Sequence, residues 1–375
     1  MENPQVEQYI EQLSDEDSSA RRAAAKALAK TGDASAIPAL VAALKDRIES
    51  VSSSATEALE ALGTAAVPAL VAALADEDDR VRRNAVKALG NIGDAATVPA
   101  LILKLKDERS LVRSSAAGAL GKMGAASAVP ALIATLDDEV DSVRNYAVEA
   151  LTAVGQPAVA CLIEALESEH SVVRNCAVGA LSNVGDPSAV PALILALRDS
   201  EPGVRRSAAE ALAKLGDASA VSALIVALKD ESASVSERAA SALGRIGDAS
   251  AIPALISARR NRDPAVRRSA ATARAKLGDA SAIRKRVATS RKKAPTWIAR
   301  PTRFALRVIQ VIAWLGGLLC IGGMTSSLFW GGPTKLPPAE IRHMQIAVVG
   351  GLFVSAAVIW GAGAALQCVS ERSKG

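Results

Sequence analysis

The chain has 375 residues, of which half are hydrophobic but only 2% are aromatic. Residues 1–257 carry 24 Lys and Arg against 35 Asp and Glu, whereas residues 258–307 carry 16 against 2. So few aromatic side chains exclude one large aromatic-rich core and favour closely stacked helices. The four cysteines form no CxxC pair and no disulfide-like framework, which indicates a reducing compartment. The first residues have neither a basic start nor an apolar stretch, so we expect no cleavable export signal.

The first predicted helix covers residues 5–13, because Val6, Ile10 and Leu13 fall on one face at helical spacing. A regular repeat starts here, and its nine units end in glycines that lie 30 or 31 residues apart. A period of this length indicates stacked supersecondary units. The closing glycines are Gly32, Gly63, Gly93, Gly124, Gly155, Gly185, Gly216, Gly247 and Gly278.

Each unit contains two apolar runs at helical spacing, so each unit is predicted to be a helical hairpin. Proline stands near the start of the first run in many units, where its missing N–H costs little. The closing glycine suits the left-handed end of a helix, and the Asp or Ser after it suits the cap of the next one. One small alanine per unit lets neighbouring second helices approach closely; these are Ala24, Ala55, Ala85, Ala116, Ala147, Ala177, Ala208, Ala239 and Ala270.

The units resemble HEAT-like repeats of the short kind found in phycobilin lyase subunits and in many bacterial scaffold proteins. Residues 94–124, DAATVPALILKLKDERSLVRSSAAGALGKMG, are a good instance. The resemblance covers residues 5–278 and implies an all-α fold, an α-α superhelix of about nine repeats. We expect this HEAT-like solenoid to occupy residues 1–278, to be right-handed, and to carry its second helices on the concave face.

The same resemblance implies a ladder of ion pairs, because in this family an arginine starts the second helix and an acidic residue precedes it in the turn. Arg21 is aligned with this position in the first unit. Ser52 and Ser236 replace the arginine in units two and eight, so we expect the ladder to be broken there. The matching residues, called the arginine ladder below, are Arg82, Arg113, Arg144, Arg174, Arg205 and Arg267.

Variable polar positions on the second helices are the predicted protein-binding surface, called the second-helix face below. Tyr146 is its one aromatic residue, so binding is expected to be electrostatic and moderate in affinity. The predicted face consists of Arg83, Ser114, Asn145, Tyr146, Asn175, Arg206 and Glu237, and Arg268 extends it.

The last quarter of the chain is predicted to hold a membrane anchor. Residues 279–307 form a basic juxtamembrane linker, and residues 308–369 form a two-helix transmembrane hairpin. Its runs 308–330 and 346–369 carry no formal charge. At about 1.5 Å per residue, each run is long enough to cross roughly 30 Å of hydrocarbon. The Gly and Pro between them prevent one continuous helix, and residues 370–375 form a short cytosolic tail.

The positive charges predict that both ends of this hairpin face the cytosol, because they lie before the first span and only Lys335 and Arg342 lie in the loop. The chain is therefore expected to be an integral membrane protein with cytosolic repeats, and its linker to contact the bilayer and attract anionic lipid. Nucleic acid is not an expected partner, since the basic residues are irregularly spaced without interleaved aromatics. The predicted membrane-surface residues are Arg284, Lys285, Arg286, Arg291, Lys292, Lys293, Trp297, Arg300 and Arg303.

The sequence contains no pattern typical of a catalytic or metal site, so we expect no catalytic residues, no metal and no cofactor. His170 is the only histidine of the repeats, and Ser171 follows it. The repeated His-Glu pairs with which deoxyhypusine hydroxylase, a HEAT-like enzyme, holds two irons therefore have no counterpart. Acidic turns lack the glycine and the terminal glutamate of a calcium loop, and no phosphate-binding loop or nucleophile elbow occurs.

Three functions remain open at this point. The favoured one is a non-enzymatic, membrane-anchored scaffold that binds cytosolic or peripheral membrane proteins. A phycobilin lyase-like role, in chromophore attachment or as a chaperone subunit, is the enzymatic alternative because the repeats resemble those subunits. A membrane sensor whose hairpin acts on the repeats is the third.

Overall fold

A computed structural model describes residues 4–292, and all regular structure in this part of the chain is helical. Of these, residues 4–289 belong to one compact unit. The helices follow one another as nine hairpins, so the predicted all-α solenoid is confirmed. Unit one holds α1 and α2, unit two holds α3 and α4, and the pairs continue to α17 and α18 in unit nine. The first helices are α1 Pro4–Gln12, α3 Ile37–Ala43, α5 Val67–Ala73, α7 Val98–Lys104, α9 Val129–Thr135, α11 Val159–Ala165, α13 Val190–Ala196, α15 Val221–Ala227 and α17 Ile252–Ala258.

The second helices are longer than the first helices. From α2 to α16, each second helix packs against the second helix of the next unit, and these contacts are more extensive than those between consecutive first helices. The second helices therefore form a continuous layer. They are α2 Ser18–Thr31, α4 Glu49–Leu62, α6 Asp79–Ile92, α8 Ser110–Lys122, α10 Asp141–Val154, α12 Ser171–Val184, α14 Pro202–Leu215, α16 Ala233–Ile246 and α18 Pro264–Lys292.

The helices begin and end at the predicted signals, as unit four shows. Gly93 ends the preceding helix α6 with a φ of 74°, the left-handed conformation that favours glycine. Asp94 then caps a 3₁₀ turn, because its carboxylate accepts a hydrogen bond from the backbone N–H of Ala96 at 2.9 Å. Pro99 lies in the first turn of α7, where no backbone N–H is needed.

Two glycines end their helices in another way. Gly63 and Gly155 combine a positive φ with a ψ of −135°, a conformation open essentially only to glycine. Each precedes a unit of 30 residues, in which Thr64 or Gln156 stands where other units have a capping Asp or an Ala. At the same two places, α4 packs less extensively on α6, and α10 on α12, than the other consecutive second helices from α2 to α16.

The core consists of small and aliphatic side chains shared between neighbouring units. The nine predicted alanines are each at most 1% exposed, which confirms the predicted register of the second helices. Two glycines show how closely these helices approach. A Cβ atom added to Gly90 would lie 2.5 Å from the Cβ of Ala119, and one added to Gly121 would lie 2.5 Å from the Cα of Ala150. Each hairpin is therefore completed by its neighbours, as expected for a solenoid.

The ninth unit does not end at its glycine. Helix α18 continues through Gly278 to Lys292, so Gly278 lies inside a helix instead of closing one. The residues that follow are rich in Ala, Lys and Arg, which have high helix propensity, and the next proline is Pro295. The helix signals downstream therefore override the single glycine.

The predicted spans, residues 308–330 and 346–369, lie outside the described residues. Within the described part, the stretch Glu49–Ala73 is long and apolar enough to cross a membrane by length and composition alone, and Asp141–Ala165 passes only as two helices bent by 117°. Both stretches are repeat helices. Leu59, for example, is fully buried in the solenoid core.

Candidate protein-binding surface

The predicted second-helix face forms a row along the stack, one position after the arginine ladder on each second helix. Asn145, Asn175 and Arg206 are exposed, whereas Arg83 and Glu237 are half-buried. Tyr146 and Arg268 are also exposed, and Tyr146 lies one position further along its helix. The row thus presents polar and charged groups to solvent.

Ser114 is the exception in this row. It is 6% exposed, and its hydroxyl donates a hydrogen bond to the carbonyl oxygen of Leu111 at 3.2 Å. The close packing of α8 against its neighbours buries this position, so Ser114 lies at the floor of a groove. It does not present a free polar group to a partner.

The arginine ladder joins neighbouring units through their turns. Nε and Nη2 of Arg82 donate hydrogen bonds to the carboxylate of Asp107 in the next unit, both at 2.9 Å. Nη1 donates to the carbonyl oxygens of Asp76 and Glu77 in its own turn. The side chains of Arg82 and Asp107 are only 7% and 4% exposed. We call this arrangement a clamp; it recurs between Arg21 and Asp46, Arg113 and Asp138, Arg174 and Asp199, and Arg205 and Asp230.

The clamp is missing where serine replaces the arginine. At the junction of units two and three, Ser52 donates a hydrogen bond to the carbonyl of Glu49 in its own helix. At the junction of units eight and nine, Ser236 donates to the carbonyl of Asp230, and Asn261 stands at the acceptor position. Neither serine reaches the next unit, as the sequence predicts.

The arginine ladder is interrupted a third time, at the junction of units five and six, because the carboxylate acceptor is missing. Arg144 is present in unit five, but Ser168 stands in unit six where a clamp needs an Asp. Arg144 instead binds Asp141 and the carbonyl oxygen of Asp138, both in its own unit. The side chain of Arg267 donates only to carbonyls of its own turn among the described residues. The ladder is therefore interrupted at every third junction.

The clamps keep their carboxylates charged. The side-chain hydrogen bonds from Arg21 and from Arg174 lower the pKa values of Asp46 and Asp199, respectively. Burial acts in the opposite direction on the pKa of Asp107, yet the hydrogen bonds from Arg82 and from the backbone N–H of Arg109 leave that pKa lowered. The ion pairs are therefore fully formed near neutral pH.

Two grooves on the second helices contain residues of the predicted face. The first, called the Tyr146 groove, has a volume of about 340 Å³ and crosses α6, α8 and α10; it brings Tyr146 together with Ser114. The second has a volume of about 500 Å³, crosses α10, α12 and α14, and brings Asn145 together with Asn175. Arg206 lies further along the row.

Only Ser114 and Tyr146 of the eleven residues that line the Tyr146 groove are among the predicted site residues, and four of the other nine give the groove its chemical character. Leu111 is 56% exposed, beside Tyr146 at 45%, and large apolar side chains are rarely exposed on these helices. Gly118 provides the open floor between them. The sequence does mark Gly118 as unusual, because the equivalent residues of the neighbouring units are charged: Lys87 in unit three and Glu149 in unit five. The other two residues are Lys87 and Lys122.

Within the described residues, no group of three or more His, Cys, Asp or Glu side chains is arranged to hold a metal ion. The Nδ1 atom of His170 lies 2.6 Å from Oδ1 of Asp137, and both side chains are exposed. Burial raises the pKa of the Cys176 thiol, which keeps it protonated and poorly nucleophilic. The described part of this surface therefore offers contacts for binding.

The sequence matches one family model repeatedly along the solenoid. The model, described as HEAT repeats, matches residues 6–81, 67–152, 130–213 and 190–275. These overlapping matches cover well over half of the chain. Among proteins with curated functions, none matches the sequence significantly.

Solved structures with a similar fold include large solenoids. The karyopherin Kap121p, bound to the extreme C-terminus of the protein phosphatase Cdc14p, has a TM-score of 0.56 at 16% identity, over 74% of this chain and 38% of that chain. Kap95p, in a structure with RanGDP, has a TM-score of 0.51 at 16% identity, over 72% and 45%. An engineered protein has a TM-score of 0.36 at 25% identity, over 73% and 88%. This chain spans less than half the length of Kap121p and Kap95p.

Proposed function

Because this chain belongs to the HEAT-repeat family, we propose that it is a membrane-anchored scaffold that holds other proteins at the cytosolic surface of a membrane. The observation that carries the proposal is the row of polar side chains along the second helices, of which Asn145, Asn175 and Arg206 are exposed to solvent. Solenoids of this fold bind protein segments, as Kap121p does with the C-terminus of Cdc14p. In this proposal the second helices line the concave side of the stack.

The anchor in this proposal is the hairpin of residues 308–369, with the repeats and both termini in the cytosol. Support comes from the two uncharged runs and from the positive charges before the first of them. The partners are cytosolic or peripheral membrane proteins. The basic linker, residues 279–307, contacts the bilayer and attracts anionic lipid.

The proposal assigns no catalytic step and no cofactor to the chain. The described His and Cys side chains lie apart from any third group that would make a metal site. Cys176 has a raised thiol pKa, which argues against a nucleophilic role in chromophore attachment. Binding is therefore the function assigned to the repeats.

One experiment tests both the membrane anchor and the binding of partner proteins. It uses full-length tagged protein expressed in the cells from which it comes. Membranes are washed with carbonate, the protein is extracted with mild detergent, and co-purifying proteins are identified by mass spectrometry. We expect the protein to remain in the membrane fraction. We expect a variant with Tyr146, Arg206 and Glu237 changed to Ala to lose partners that the wild type retains. Recovery in the soluble fraction would contradict the anchor, and identical partner sets would remove the second-helix face from the proposal.

A further inference from the structure

The Tyr146 groove has a natural point of comparison further along the same stack. It crosses α6, α8 and α10, and α6 belongs to a unit of 30 residues. Three units later, α12, α14 and α16 follow one another in the same way, and α12 belongs to the other unit of 30 residues. The two sets of helices therefore offer equivalent positions for side chains.

A pair of charged side chains stands at the equivalent place. Gly118 and Tyr146 correspond to Glu210 and Arg238, and Nε of Arg238 lies 3.8 Å from Oε2 of Glu210. Leu111 corresponds to Gly203, which has no side chain. An ion pair thus covers the surface between α14 and α16, whereas the surface between α8 and α10 is open and flanked by apolar side chains.

Packing does not require the glycine at the floor of the groove. A Cβ atom added to Gly118 would lie 3.5 Å from Cδ1 of Tyr146, an ordinary contact distance. The nearby Gly90 differs, because its added Cβ would lie only 2.5 Å from the Cβ of Ala119. A glycine inside a helix lowers its stability. Gly118 therefore keeps the groove deep at a cost to the helix that close packing does not explain.

The groove is also positively charged. Lys87 and Lys122 line it, and no carboxylate does. Nζ of Lys122 donates a hydrogen bond to Oδ1 of Asn91 at 2.6 Å, which holds the ammonium group beside the groove. Lys87 forms no hydrogen bond or ion pair with any residue that the structure describes. Two cationic groups therefore flank two exposed apolar side chains.

We infer that the Tyr146 groove binds a short acidic peptide segment of a partner protein. An apolar side chain of the segment packs between Leu111 and Tyr146, over Gly118, and its carboxylates lie near Lys87 and Lys122. An exposed aromatic residue beside an open pocket is a typical anchor for such a contact, and the positive charge selects acidic sequences. The inference rests on the proposed scaffold function, since it names the class of partner that the scaffold holds.

The probe is a display library of random peptides, selected on full-length wild-type protein immobilised in detergent micelles. Enriched peptides are synthesised with a fluorescein label, and their affinities are measured by fluorescence anisotropy. We expect the enriched sequences to combine Asp or Glu with Leu, Phe or Trp. Their affinity falls as salt is added, because the charged contacts are exposed to solvent.

The decisive variant combines Gly118→Glu with Tyr146→Arg, which installs the ion pair that α14 and α16 carry naturally. The same helical framework holds this pair three units later, so the variant is expected to fold like the wild type. Peptide affinity is expected to fall about tenfold or more, as when an anchor residue is lost. The matched control, Glu210→Gly with Arg238→Tyr, leaves the Tyr146 groove unchanged and is expected to retain full affinity.

The outcomes separate this inference from the proposed function. Failure to enrich any peptide, enrichment of basic or uncharged peptides, or equal binding by the groove variant overturns the inference. In those cases, the scaffold function stands if the full chain still co-purifies proteins in the membrane experiment. If the full chain co-purifies no protein, the scaffold function itself fails.

Discussion

Two junctions of the solenoid join the same kind of hairpin by different means. Between units three and four, the Arg82–Asp107 clamp, the left-handed Gly93 and the cap by Asp94 all contribute. Between units two and three, Ser52 replaces the arginine, Gly63 adopts a conformation open only to glycine, and α4 packs less on α6. In a repeat protein the stability is close to a sum of units and interfaces. A junction that lacks several interface contributions together is therefore where the stack is weakest.

The junction of units five and six shows the same combination. Gly155 has the same backbone conformation as Gly63, Ser168 removes the acceptor of Arg144, and α10 packs less on α12. The clamps therefore divide this part of the stack into three blocks, units one and two, units three to five and units six to eight. The two interfaces between these blocks lack a clamp and pack less extensively. Hydrogen exchange that is faster beside these two junctions than within the blocks would support this division.

The largest effect is expected from breaking a clamp inside a block. Arg82→Ala removes both guanidinium hydrogen bonds to the buried carboxylate of Asp107, which keeps only Lys104 at 3.6 Å and the backbone N–H of Arg109. This loss is expected to lower the free energy of unfolding by about 3 kcal/mol. The measurement is urea denaturation followed by circular dichroism. Arg144→Ala, at the weak junction, is the matched comparison and is expected to cost at most about 1 kcal/mol.

A second variant removes both charged partners of the same clamp. Arg82→Met combined with Asp107→Leu removes both charges and is expected to restore most of the lost stability, because no charge is left buried and unpaired. Equal losses for Arg82→Ala and Arg144→Ala would show that the clamp does not distinguish the two kinds of junction.

Both kinds of junction share the row of small alanines, so overpacking this row tests the core that they have in common. Ala147 is fully buried in α10. Ala147→Trp is expected to lower the free energy of unfolding by about 1–3 kcal/mol or more. Ala153→Trp is the control, because Ala153 lies exposed on the same helix. A thermal midpoint for Ala147→Trp equal to that of the wild type would contradict the register of the second helices.

The clamps are also expected to weaken in acid. The lowered pKa values of Asp46 and Asp199 mean that the folded state binds protons less readily than the unfolded chain, in which Asp has a pKa of about 3.9. Their contribution is complete above that value and is lost as the pH falls through the lower folded-state pKa. The difference in urea midpoint between wild type and Arg174→Met should therefore shrink below about pH 4. A difference that stays constant into strong acid would rule out a contribution from the charged Asp199.

Much of this fold can be predicted from the sequence, because period, proline, glycine and alanine each act locally. The partner of each clamp cannot, since Asp107 meets Arg82 only after two units have stacked. Arg144 shows this limit. The arginine is present, but it forms no clamp because the next unit has Ser168 where the carboxylate would be. Burial of Ser114 and the open floor at Gly118 likewise depend on how closely neighbouring helices pack.

Supplying the missing acceptor at the weak junction is expected to have a smaller effect. Ser168→Asp offers Arg144 a carboxylate in the next unit and is expected to raise the free energy of unfolding by about 1 kcal/mol at most, since Ser168 is partly exposed. Amide hydrogen exchange in α10 and α12 is the direct measurement, and it should slow. The same change in an Arg144→Met background should have no effect. If exchange slows there as well, the gain does not come from a clamp.

The smallest expected effect is a change in stability when alanine replaces Gly118 in α8, compared with the same change at Gly90 in α6. The two glycines lie on either side of the clamped junction between units three and four. Gly118→Ala is expected to raise the free energy of unfolding by about 0.5–1 kcal/mol, because alanine favours the helix and its Cβ meets Tyr146 at an ordinary distance. Gly90→Ala is expected to lower it, because its Cβ would overlap Ala119. The thermal midpoints of the two variants show whether each change raises or lowers the stability. If both variants are destabilised, packing requires Gly118 as it requires Gly90, and binding no longer accounts for the glycine at the floor of the Tyr146 groove.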